Sequence, residues 1–118
     1  MAILRKESRY YSKAQIYSND ILNDNLSLKN LSKGGLCIRS NNLLNVDFKT
    51  RYIIDLFPET ELNIGKIELE VESKWVRIKK AYSESGFVIV DPRAKKDFEY
   101  YMEYLSKQEH LETNEEKI

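Results

Sequence analysis

The chain has 118 residues, 42% of them hydrophobic, which is enough for one domain with its own core and too little for two. Nineteen Lys and Arg balance nineteen Asp and Glu, so no global field recruits a polyanion or a membrane. One cysteine, Cys37, and one histidine, His110, exclude an internal disulfide, a zinc set and a Cys-His or Ser-His-Asp constellation.

Local charge is uneven. Residues 1–39 hold seven basic and three acidic side chains, whereas residues 101–118 hold two basic and five acidic. The apolar run from Tyr52 to Leu56 is short and interrupted by Asp55, so it cannot span a bilayer. Met1 to Glu7 lacks the apolar stretch of a secretion signal, and with the lone thiol this predicts a cytoplasmic protein.

Taken in order, the chain opens on Arg5-Lys6-Glu7-Ser8-Arg9, ahead of any apolar alternation. Two arginines four apart reach about 13 Å if extended, a span suited to an anion with two separated phosphates. A guanidinium is planar and always charged, and it pairs with phosphate or with the O6/N7 edge of guanine. Short strands follow: Ala14 and Ile16, then Leu26 and Leu28, alternate with polar residues, with turns at Ser18-Asn19-Asp20 and Asn23-Asp24-Asn25. Next comes Asn30-Leu31-Ser32-Lys33-Gly34-Gly35, in which an amide and a hydroxyl flank two glycines. The glycines are read as allowing positive φ and a bare backbone that a ligand can approach closely.

Leu36 and Ile38 make a third strand, closed by Asn41-Asn42, and Arg51 to Phe57 a fourth that stops at Pro58. In the fifth, Ile67, Leu69 and Val71 alternate strictly with Glu68, Glu70 and Glu72, which makes the carboxylates a wet face rather than a catalytic set. Val76 and Ile78 continue in the opposite phase, which predicts a β-bulge near Ser73 or Lys74. Gly86 to Val90 is apolar on both faces and is expected to be the most buried strand. Asp91-Pro92 reads as a helix start, and Phe98, Tyr101, Met102 and Leu105 as one apolar helical stripe covering an open end of a barrel. Residues 109–118 form a polar tail expected to fray. Walker, dinucleotide-fingerprint and nucleophile-elbow motifs are absent, so the reading is a protein that is not an enzyme, with no cofactor and no metal.

Arg-x-x-x-Arg at residues 5–9, twenty intervening residues, then Asn-x-Ser-x-x-Gly at residues 30–35 resembles the signature of the PilZ family, the bacterial receptors for cyclic di-GMP. The resemblance extends over nearly the whole chain. It implies a mainly β protein: a six-stranded antiparallel barrel with a C-terminal helix over residues 11–108, preceded by a ligand-gripping arm at 1–10. It also implies residue roles. Arg5 and Arg9 would grip phosphates and guanine, Asn30 would bind a guanine edge, Ser32 would support the ligand, and Gly35 would keep the surface open. Lys6, Lys33 and Gly34 are secondary candidates. Leu4 stands where many members carry a further arginine, which points to one nucleotide per chain. Such a receptor needs a downstream protein partner and no membrane. The alternatives are a PilZ-like protein-protein adaptor with little nucleotide binding and a barrel that binds single-stranded nucleic acid. The latter is suggested by Tyr10, Tyr11 and the Lys74, Arg77, Lys79, Lys80 cluster, which reads more simply as a solvated strand and turn.

Overall fold

The structure, a computed structural model, describes residues 8–21 and 25–116, with helix side chains described through Gln108. Six strands, β1 (Gln15–Tyr17), β2 (Ser27–Leu31), β3 (Gly35–Ser40), β4 (Arg51–Phe57), β5 (Ile67–Ile78) and β6 (Ser83–Pro92), precede the helix α1 (Lys95–Glu116), with a 3-10 turn at Thr60–Leu62. The strands form one antiparallel sheet in the order β1-β4-β5-β6-β3-β2.

That sheet curls until its edges nearly meet. Tyr10 exchanges two backbone hydrogen bonds with Leu31 of β2, at 2.8 and 3.0 Å, while β1, five residues on, pairs with β4. One short stretch of chain thus carries one edge strand, β1, and bonds to the other, β2, nearly closing a barrel, which removes much of the exposed-edge liability.

Inward side chains follow the alternation of each strand. In β4, Tyr52, Ile54 and Leu56 are buried, and in β5 Ile67, Leu69 and Val71 are fully buried. The outward carboxylates Glu68, Glu70 and Glu72 meet Lys66, Arg51, Arg93 and Lys74 in surface ion pairs, as a wet face should. The predicted helical stripe is buried in full, and Phe98, Tyr101, Met102 and Leu105 join the barrel's own core. Tyr101 is the polar anchor of this packing. Its hydroxyl donates to Glu59 at 2.6 Å and sits 2.6 Å from the Ser12 hydroxyl, tying the helix to the segment before β1 and to the turn after β4. Burial, then the bond to Glu59, raises its pKa, so it stays protonated.

Three expectations need correction. Asp91 and Pro92 belong to β6, and the helix begins at Lys95. Arg93 N–H still reaches the Glu68 carbonyl at 3.0 Å, so Pro92, opposite Leu69, falls on a non-hydrogen-bonded pair where its missing N–H costs nothing. Burial in β6 is concentrated in Ser83–Phe87, whereas Val88 and Val90 are about 40% exposed on the outer face. The buried half escapes an apolar pattern because it is polar and satisfied: Ser83 donates to Asn42 O at 2.6 Å and Ser85 to Trp75 O at 2.9 Å. Finally, no described glycine has positive φ; Asn25, Lys49 and Asn63 occupy that region instead.

The predicted bulge is present. The β5–β6 register shifts between Ser73 and Trp75, and again between Glu70 and Val71. Without the first shift Trp75 would share the inward face of Val71 and Ser73; with it, the indole turns outward.

Candidate ligand-binding site

The β2–β3 turn is built around Ser32. Its N–H donates to Gly35 O at 2.8 Å, its hydroxyl donates to the same oxygen at 3.2 Å, and that hydroxyl accepts from Gly35 N–H at 3.1 Å. Gly34 O in turn accepts from Ile89 N–H at 2.8 Å, which docks the turn on β6. Ser32 is therefore first a turn fixture. Gly35 is needed for close approach rather than for its φ: a Cβ there would lie 2.7 Å from the Phe87 carbonyl oxygen.

Asn30, one turn-length upstream, meets Arg9 across 21 residues of sequence, with Arg9 Nη1 3.5 Å from Asn30 Oδ1. Arg9, Ser32, Gly34 and Gly35 then line an open groove of about 230 Å³ together with Lys74, Trp75, Gly86 and Val88. The fold thus assembles Arg9, Asn30, Ser32, Gly34 and Gly35 on one outer face. Lys33 lines a different groove, of about 630 Å³, between Tyr10 and the helix residues Phe98 and Met102. Arg5 and Lys6 lie outside the described residues.

Of the groove residues, Lys74 entered the sequence reading only within the nucleic-acid alternative, and Trp75 and Gly86 entered no ligand-site reading at all. Trp75 and Gly86 are cross-strand partners, and a Cβ at Gly86 would collide with the indole, so the ring lies across the glycine. The Arg77 guanidinium stands 5.0 Å from the same ring. The signal was present in the phase break at Ser73–Trp75, but its consequence depends on knowing that Gly86 is the residue opposite.

Beside the groove, two residues before Gly86 in β6, sits a buried carboxylate. Glu84 is 1% exposed and accepts from Arg39 Nη2 at 2.8 Å and Nε at 3.1 Å, with Lys29 Nζ 2.9 Å away. Burial opposes its ionisation, but the hydrogen bonds and charges of Lys29 and Arg39 outweigh it and hold its pKa below the usual carboxylate value. Arg39 also stacks on Tyr82 at 4.3 Å. Cys37 is buried beside this cluster, and burial followed by the Glu84 charge raises its thiol pKa, so it is an unreactive packing residue. Among the described residues no group of three or more metal-ligating side chains converges, and no helix is long and apolar enough to cross a membrane.

No family model matches the chain, and no curated protein matches it by sequence. The solved structure of Bacillus subtilis Inhibitor of motility (MotI/DgrA) matches it in fold, with a TM-score of 0.67 and 17% identity. The match covers 93% of this chain and 53% of that one, so this chain spans about half the length of its structural neighbour. The likeness is one of architecture: a PilZ-like fold, six antiparallel strands in a nearly closed barrel with one C-terminal helix.

Proposed function

We propose that this domain is a receptor for cyclic di-GMP that signals by ligand-induced ordering of its N-terminal arm. The observation that carries the reading is the convergence of Arg9, Asn30, Ser32 and Gly35 on one outer face, around a groove floored by Gly86 and walled by an indole. Cations, an amide, a hydroxyl and an aromatic ring are the chemistry of holding a dinucleotide, not of cleaving it. The groove is small and open, so a base would occupy it while the phosphates lie on the outer surface, within reach of Arg9 and of an arm carrying Arg5. Tyr10 is already bonded to Leu31, which confines ordering to residues ahead of it. The closed arm would then present a surface that an unidentified protein partner reads.

Calorimetric titration with cyclic di-GMP, with cyclic GMP and oligo-dT as controls, tests the proposal. Saturable binding of the cyclic dinucleotide alone is expected, and preference for oligo-dT would replace it with the single-stranded nucleic-acid reading. Arg9→Ala should weaken binding about 30- to 150-fold, since charge-assisted hydrogen bonds are worth roughly 2–3 kcal/mol. Its stability should not change, because Arg9 is exposed and its hydrogen bond to Asn30 is long. Amide exchange at residues 4–9 should slow on saturation; exchange that is the same with and without ligand would remove the arm mechanism and leave binding intact.

A further inference from the structure

The second half of β5 has a partner on one side only. β4 ends its pairing with β5 at Arg51–Glu72, and the last backbone bonds on that side join Ser73 to Lys49 and Thr50. Beyond them, Lys74 is the bulged residue and residues 75–78 pair with β6 alone. The hairpin sets which groups point outward. Lys79 N–H donates to Tyr82 O, so in an antiparallel ladder Arg77–Glu84 and Trp75–Gly86 are hydrogen-bonded pairs, whereas Val76–Ser85 and Ile78–Ser83 are not. The N–H and C=O of Val76 and Ile78 therefore face away from β6, and among the described residues no backbone group meets them.

The side chains along this edge are distinctive too. Val76 and Ile78 are 37% and 68% exposed on one face, and Phe48, which follows the Asp47 carbonyl that accepts from Ser73, is exposed as well. Residues 73–80 carry Lys74, Arg77, Lys79 and Lys80 and no acidic residue. Like charges facing each other destabilise strand pairing, so two copies of this edge repel one another. An extended segment with acidic residues does not suffer this, and its own N–H and C=O groups would complete the ladder.

We infer that the outer edge of β5, from Lys74 to Ile78, is a β-augmentation site for an extended, acidic segment of a partner protein, with apolar side chains at alternate positions to cover Val76 and Ile78. This goes beyond nucleotide binding and does not depend on it. The two are nonetheless close, because Lys74 and Trp75 of the same strand line the groove on the other face.

The test uses isotope-labelled full chain and the capped peptide Glu-Val-Glu-Val-Glu-Val-Glu, with the lysine-for-glutamate peptide as control. Saturable shifts centred on Val76–Ile78 are expected, with slowed exchange of those two amides and a Kd of about 1 mM or tighter. Val76→Pro removes an outward N–H without touching a β6 bond and should weaken binding at least about tenfold. Ile78→Asp, at an exposed position, should weaken it similarly while the far-UV spectrum and Tm stay unchanged. Equal binding of the lysine peptide, shifts centred elsewhere, or unchanged affinity in Ile78→Asp would overturn the site. Self-association of the chain that Val76→Pro abolishes would overturn the acidic partner in favour of a second copy.

Discussion

Gly35 and Gly86 both line the same open groove, yet a methyl group meets different things at each. At Gly35 it meets the Phe87 carbonyl, which is backbone and cannot swing aside. Gly35→Ala should therefore loosen β3 from β6 and cost about 1–3 kcal/mol, read as a lower Tm. At Gly86 it meets the Trp75 indole, a side chain that can rotate away. Gly86→Ala should keep most of the stability but lose the groove wall. Trp75 is the only tryptophan, so a red-shifted emission reports the move directly, and unchanged emission would show that the ring does not rest on the glycine. Glu84 supplies a pH signature. Its folded pKa is depressed, so its stabilisation is present above the unfolded carboxylate pKa and is lost as pH falls through the folded value. Glu84→Gln should be less stable than wild type at pH 7 by about 1.5–3 kcal/mol, with the gap closing under acid conditions. A gap that stays constant between pH 7 and pH 3 would assign the loss to packing rather than charge.

At the level of elements, β5 does two jobs because one bulge divides it. Before Ser73 it is a plain barrel strand; after it, the outward face carries Trp75 and Arg77 and the edge is open. The alternation of Ile67, Leu69 and Val71 and the phase break were both legible in the chain, since period-2 patterning is a local property. The helix start was misread for the same local reason. Asp91-Pro92 has the chemistry of a helix N-terminus, but Arg93 still has a ladder partner in Glu68, and only the tertiary pairing shows it. The helix itself depends on one polar contact as well as its stripe. Tyr101→Phe removes the hydroxyl bonded to Glu59 and beside Ser12 and should cost about 1–3 kcal/mol by thermal unfolding. No loss of Tm would mean that apolar packing alone docks α1.

For the whole molecule, the seam at Tyr10 joins the closure of the barrel to the placement of Arg9. Its two bonds to Leu31 complete the near-closure of the barrel and place Arg9 beside Asn30. Tyr10→Pro deletes one of those bonds and should lower both Tm and cyclic di-GMP affinity, whereas Arg9→Ala should lower affinity alone. If Tyr10→Pro lowers Tm and leaves affinity as it was, the seam does not position the arm.

What the chain by itself determined was the element list, six strands, a bulge and an amphipathic helix, and the inward faces of β4, of β5 up to Ser73 and of the helix. These follow from alternation and helical spacing, which are written within a few neighbouring residues. Pairing across the sheet was decided only in three dimensions. The approach of Phe87 O to Gly35, the seat of Trp75 on Gly86, the burial of Ser83, Glu84 and Ser85, and the turn of Lys33 into another groove all depend on register between strands. Register is a relation between distant segments, and one residue of slip puts every side chain on the other face.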